Sequence, residues 1–268
     1  MKQTTILILL CLLAFEALAH DCFLISKPFR VKPGEQAKIA VHVDDYFPGK
    51  SVAWNPDRVQ RLEHWYSGSK SVLLPRPFVQ DSSGILIEMK EPGTHLVAVD
   101  WSARFIEIEP KKFAQYLKSE GLDHVLKLRA ERNEQGKPGR ERYSRYLKTL
   151  VAAGKGEEES VKSIVGQSME LVPLDNPYLK KRGESVRFRL LFRGEPLEDA
   201  LVSATYAGAT KKADTYAQSA RTDRNGIVTF RLTNTGAWLV RTVHMLPTTG
   251  LREADWESWW ASVTFDVR

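Results

Sequence analysis

Apolar residues recur at every second position in a series of short stretches separated by turn residues. In "KIAVHV", Ile39, Val41 and Val43 share one face and Lys38, Ala40 and His42 the other, the period of a half-buried β-strand. "GILIEM" and "THLVAVDW" repeat the pattern between the turn clusters "KPGE", "DSSG" and "EPGT". The signals return from Met169 onward in "SVRFRLLF", "ALVSATYA", "GIVTFRL", "AWLVRTVHM" and "WWASVTFDV", with the tight turn "TDRNG" before "IVTF". Between the two series the period changes. "KKFAQYLKSEGLDHVLKLRAERNEQGKPGRERYSRYLKTLVAAG" is rich in Leu, Lys, Arg, Glu and Ala and sets Phe113, Tyr116 and Leu117 at helical spacing. It predicts three helices, opening after Pro110, after Asp123 as N-cap, and after Pro138, with "GKGEEES" as an exposed link.

The expected architecture is mainly β. An N-terminal β-sandwich spans residues 20–110, a helical insertion and linker 111–168, and a C-terminal β-sandwich 169–268. Both sandwiches are expected to be antiparallel and Ig-like or transthyretin-like, from the spacing of their turn signals. A weak repeat joins them: "VKPGEQAKIAVHV" matches "KKRGESVRFRLLF", and "EPGTHLVAV" matches "NTGAWLVRT", in the same order in each half.

The front of the chain has a different logic. Met1 and Lys2, the apolar run "ILILLCLLAF" and a closing "ALA" form a basic, apolar and small-residue series that predicts a secretory signal peptide over residues 1–19. Cleavage after Ala19 makes His20 the first residue of an exported, periplasmic protein that does not itself span the membrane. The mature chain then keeps one cysteine, Cys22, so no internal disulfide forms and the fold depends on apolar burial. The formal net charge of +6 concentrates in "RAERNEQGKPGRERYSRYLK", where interleaved Glu residues suggest a solvated helical face, not a nucleic-acid surface. No Gly-x-Ser-x-Gly, phosphate loop or dinucleotide fingerprint occurs, and no enzymatic activity is expected.

A free N-terminal histidine offers its α-amine and imidazole as a preformed chelate, and one further imidazole completes a set suited to tetragonal copper(II) or nickel(II). The expected metal ligands are therefore His20 with His244 or His95, and His42 in reserve, in a cleft between the sandwiches. His42 is expected on a solvated strand face or an exposed rim, beside Asp44 and Asp45. His64 and His124 read as structural. Asp255 or Glu257 could orient a ligating imidazole. "DWESWW" suggests core packing more than a sugar-stacking surface.

Several longer phrases carry a resemblance: "AHDCFL", "YFPGKSVAWNPDRV", "PGTHLVAV", "RFIEIEPKKFAQYLKSEGLDHVL", "KPGRERYSRYLKTL", "RGEPLEDALVSA" and "RTVHM…DWESWWASVTFDV". Together they resemble, over nearly the whole mature chain, a family of exported bacterial proteins commonly labelled as periplasmic components of cobalt or nickel ABC-type uptake systems. The resemblance implies a metal-binding protein serving a membrane permease, with cobalt or nickel as the ion, while the imidazole donors themselves add copper. Cys22 departs from the family's usual opening and leaves the metal open. The competing reading is a non-metal Ig-like adhesion or scaffold module.

Overall fold

The computed structural model describes residues 21–73, 83–156 and 159–268; the expected signal peptide and His20 lie outside them. The first half builds β1 (Asp21–Lys27), β2 (Arg30–Val31), β3 (Gln36–Asp44), β4 (Lys50–Ser51), β5 (Val59–Tyr66), β6 (Ser69–Val72), β7 (Ile85–Glu88) and β8 (Gly93–Ile108). Two helices follow, α1 (Pro110–Ser119) and α2 (Asp123–Glu131), and then β9 (Gly139–Ala153). The second half adds β10 (Met169–Pro173), β11 (Ser185–Phe192), β12 (Glu195–Pro196), β13 (Leu201–Tyr206) and β14 (Gln218–Arg221). It closes with β15 (Ile227–Arg231), β16 (Gly236–Pro247) and β17 (Trp256–Val267).

These strands form two small sheets and one large one. β1, β4 and β7 gather around β3, and β10, β12 and β15 around β11 in the same arrangement. The large sheet runs β14-β13-β16-β17-β9-β8-β5-β6, with β2 also against β9. Its centre is a parallel junction of β17 with β9, from Trp256↔Glu141 to Thr264↔Thr149. Neighbouring residues of β8 point to opposite faces. Val97 and Val99 pack with Leu24, Ile39 and Val41 of the first small sheet, while Leu96 and Ala98 pack with Met169, Phe188 and Leu190 of the second. The chain is thus mainly β, two antiparallel sandwiches with helices between their strands, and the sandwiches share the large sheet.

The sequence repeat has a geometric counterpart. Gly34 (φ 85°) and Gly183 (φ 95°) occupy equivalent turns that only a residue tolerating positive φ fills without strain. Gly34 N–H donates to Met89 at 2.8 Å and Gly183 N–H to Leu232 at 2.7 Å. Glu35 accepts from Lys32 N–H at 2.8 Å, and Glu184 from Lys181 N–H at 2.7 Å. Each Gly-Glu turn therefore launches the central strand of a small sheet in the same way.

The third expected helix is absent. Residues 139–153 are instead β9, at the centre of the large sheet, and the helices leave from the β8–β9 hairpin of the first sandwich. Local propensity lost to tertiary pairing here, because β9 alternates and each face has its own partners. Gly139 admits α1 to this strand, since a Cβ there would overlap the ring of Phe113. The charges expected on a solvated helix face are instead paired along the strand: Arg140 with Asp255, Arg142 with Glu257, and buried Lys148 with Glu170.

Candidate functional site

One face of the large sheet carries two covers. At one end, Phe113, Leu117 and Val125 of the helices pack on Val243, Met245, Trp256 and Trp260. At the other, the first small sheet stands with its β1 edge down: Ser262 Oγ donates to the Cys22 carbonyl at 3.0 Å and Thr264 Oγ1 to the Leu24 carbonyl at 2.6 Å. These hydroxyls satisfy edge groups that burial would otherwise leave unpaired. The seam between the covers begins at Asp21 and is filled by ionisable side chains.

Arg241 of β16 lies at its centre. Its Nε donates to Asp21 at 2.7 Å, its other nitrogens bond both oxygens of Glu120, and its guanidinium lies over Tyr216 and Trp260. Tyr216 also donates its hydroxyl to Asp21 at 2.8 Å. Burial opposes the charge on Arg241, but Asp21 and Glu120 outweigh it and hold its pKa well above the usual value. Glu120 is nevertheless pushed up, first by burial, since one cation serves two carboxylates. Asp21 is thereby anchored 7% exposed, and the chain enters the fold at this seam.

Beside it, buried Glu141 accepts from Ser258 Oγ and, at 3.3 Å, from the Tyr116 hydroxyl, through the same oxygen. Its other oxygen, Oε2, has no hydrogen-bond partner among the described residues. Burial raises its pKa to about 7, against the hydrogen bonds from Ser258 and Tyr116. A carboxyl whose folded pKa is raised stabilises the fold below its unfolded pKa and loses that contribution as pH rises towards 7. Glu141→Gln is therefore expected to gain stability over the native chain between pH 5 and pH 8, up to about 3 kcal/mol at the alkaline end. Guanidinium unfolding across that range checks it.

The histidines fall into three places. His42 is 3% exposed on β3, not on a solvated face or rim, because both faces of the first small sheet are covered. Its Nδ1–H donates to the Pro48 carbonyl at 2.8 Å, and its Nε2 is buried without a partner among the described residues. Burial lowers its pKa. His95 Nε2 donates to the Glu91 carbonyl at 2.8 Å, so its Nδ1 accepts from His64 Nε2–H at 2.8 Å. Burial holds both rings below the usual range, His64 at about 3, with His95 adding to the effect.

The third place joins His244 to His124, the residue read as structural. β13 pairs with β16 only as far as Val202↔Thr242. Beyond that point α2 covers the free strand edge, and His124 Nε2–H donates to the Met245 carbonyl at 2.7 Å. The His124 and His244 rings lie 5.4 Å apart at 25°. They line a cavity of about 240 Å³ with Glu120, Glu198 and Asp199. In His124, Nδ1 is the ring nitrogen not used in that bond, and the His244 ring makes no hydrogen bond to a described residue. Burial, then His124 and Arg193, lowers His244 to about 4, so the ring is neutral, the form that ligates metals. Capping a strand edge leaves no signal in the sequence, so the placement of His124 beside His244 is visible only in the fold.

His42, His95 and His244 do not converge. His95 and His244 stand on β8 and β16, strands three spacings or about 14 Å apart, on opposite faces of the sheet, and the register sets His95 near the level of Ala237, far along β16 from His244. Asp255 and Glu257 bind Arg140 and Arg142 and not an imidazole. Trp256, Trp259 and Trp260 are buried, as core packing requires. Cys22 is a free buried thiol whose pKa burial raises. No cluster of three or more His, Cys, Asp or Glu side chains suited to a metal occurs among the described residues. No helix among them is long and apolar enough to cross a membrane.

These features define a mainly β protein of paired sandwiches with a buried polar seam at the foot of its first strand. Residues 17–246 match the family described as a domain of unknown function, DUF4198, and the chain belongs to that family. No curated protein matches the sequence. Similar solved structures include the D0-D1 domain of Intimin, with 10% identity, 91% of this chain and 97% of that chain covered, and a TM-score of 0.21. Dimeric latent PorU from Porphyromonas gingivalis has 13% identity, 92% and 20% coverage, and a TM-score of 0.22. At such values the fold description rests on the sheets themselves.

Proposed function

We propose that this is an exported, periplasmic protein that binds a transition metal, and that its described ligands are His124 and His244. The observation that supports this most is the pairing of two imidazoles at a cavity rim, one with its N–H fixed on a backbone carbonyl. A ligating histidine is usually oriented by such an outer hydrogen bond, which leaves the opposite nitrogen for the ion. Two imidazoles with acidic neighbours suit cobalt, nickel or copper. They leave coordination positions open, as a site that passes its ion to a membrane permease requires. His20 joins this reading through the seam: it precedes Asp21, which Arg241 links to Glu120 in the cavity wall.

Equilibrium dialysis of the signal-processed protein with each ion tests the reading. Wild type is expected to retain at least one of the three. His124→Ala and His244→Ala should each weaken retention by more than the roughly 10–100-fold that outer partners carry. At a hundredfold excess over the dissociation constant, the ion should also stabilise the fold by about 2.7 kcal/mol. Retention unaffected by both substitutions, or none by wild type, overturns the assignment. A parallel His20→Ala arm reports whether the chain's predicted first residue takes part.

A further inference from the structure

We propose that the corner of the seam formed by Arg58, Trp101 and Arg145 is a binding site for a small oxyanion, a carboxylate or a phosphate. Arg58 ends a short 3-10 turn (Pro56–Arg58) and lays its guanidinium over the Trp101 ring, 4.3 Å from the centroid. Trp101 on β8 stands opposite Arg145 on β9, whose guanidinium lies 5.2 Å from the Tyr143 ring centroid. The ladder is irregular at this point. β8 slips register against β9 between Trp101 and Arg104, and β5 slips against β8 between Val59 and Arg61. Such bulges re-aim side chains and are frequent beside functional sites.

At Arg58 and Trp101 the unmet hydrogen bonding is all on the donor side. Nε and Nη2 of Arg58 and Nε1 of Trp101 are buried without a hydrogen-bond partner among the described residues. All three are donors, and Trp101 is 2% exposed. Buried donors are paired in nearly every folded protein, so three orphans side by side point to a missing acceptor. The electrostatics agree. After burial, the groups weighing most on Arg58 are Arg104 and Arg145, which repel it, and Tyr143 and Cys22. No carboxylate is among them, and burial keeps the Cys22 thiol neutral. A planar guanidinium fork with an indole N–H beside it matches an oxyanion in charge and geometry. A buried water would satisfy the donors but bring no negative charge to Arg58.

The test is thermal melting and titration calorimetry of the signal-processed protein with sodium acetate, citrate or inorganic phosphate, against sodium chloride at equal ionic strength. At least one oxyanion should raise the melting temperature of wild type, and the three arms separate carboxylate from phosphate. Arg58→Gln should lower its affinity roughly 10–100-fold, the worth of a charge-assisted hydrogen bond. Without the oxyanion the same variant should melt at or above wild type, because an unpaired cation has been removed. Trp101→Phe keeps the ring, loses one donor, and should bind several-fold more weakly; it carries the test should Arg58→Gln fail to fold. Arg182→Gln, an exposed arginine bonded to the Thr233 carbonyl, should leave binding unchanged. No anion-specific shift in wild type, or an equal shift in Arg58→Gln and Trp101→Phe, overturns the site.

Discussion

Arg241→Met is expected to destabilise the protein by about 3–5 kcal/mol at pH 7.5, the cost of stripping the partner from buried charge. In a chain of this size that lowers the melting temperature by roughly 10 °C. Asp21 and Glu120 are each buried and each bonded to this guanidinium, so its loss leaves two carboxylates with no cation between them. Methionine restores packing against Trp260 and Tyr216 but no hydrogen bond. The two acids must then take up protons or stay charged at a penalty. Glu120, already pushed up by burial, rises further in the variant, so its deficit should shrink as pH falls. Denaturant unfolding at pH 7.5 and pH 5.5 measures both effects. A deficit below 1 kcal/mol, or one independent of pH, would show that the triad is dispensable. Asp21 is the first described residue, and this anchor holds the start of β1 in the seam.

What could be read from the chain and what could not have separate physical origins. The β3 alternation and the paired Gly-Glu turns are local, and local chemistry sufficed: Gly34 and Gly183 do need positive φ, and Ile39 and Val41 do face a core. β9 is the reverse case. Its Arg, Glu, Lys and Leu residues favour a helix in isolation, and pairing with β8 on one side and with β17, more than a hundred residues away, on the other makes the strand the better state. The burial of His42 was hidden for a related reason. One apolar face of β3 is visible in its sequence, but the cover on its other face comes from Phe47 and from Leu239 of β16. The duplicated sandwiches account for the seam as well. A parallel β17–β9 junction puts the small sheets on opposite faces, so the face that receives the first small sheet has room beside it for the helices. Polar groups of Asp21, Glu120, Glu141 and Arg241 meet there from distant parts of the chain, and no motif spacing records that meeting.

On the opposite face the buried pair Lys148–Glu170 supplies a second test, in which the two partners are expected to behave unequally. Both side chains are 1% exposed, and the ammonium donates to Glu170 at 2.7 Å and to the Leu171 carbonyl at 3.1 Å. Burial lowers the Lys148 pKa, and Glu170 opposes that. Glu170 has more partners than its lysine: it also accepts from the backbone N–H groups of Val165 and Gly166, at 2.7 and 2.9 Å, and of Gln167 at 3.1 Å. Lys148→Met therefore leaves a carboxylate still held by three amides and should cost about 1–2 kcal/mol. Glu170→Leu leaves three amides without an acceptor and a buried ammonium with only the Leu171 carbonyl and no counter-charge, and should cost about 5 kcal/mol or more. The double variant removes the stranded ammonium but not the orphaned amides. It should accordingly be more stable than Glu170→Leu alone by about 2 kcal/mol, yet less stable than Lys148→Met. Denaturant unfolding of the four proteins closes the cycle. Equal single costs would mean that the ion pair, not the amide cradle, sets the energetics of this corner and of the β10 edge it ties to the large sheet.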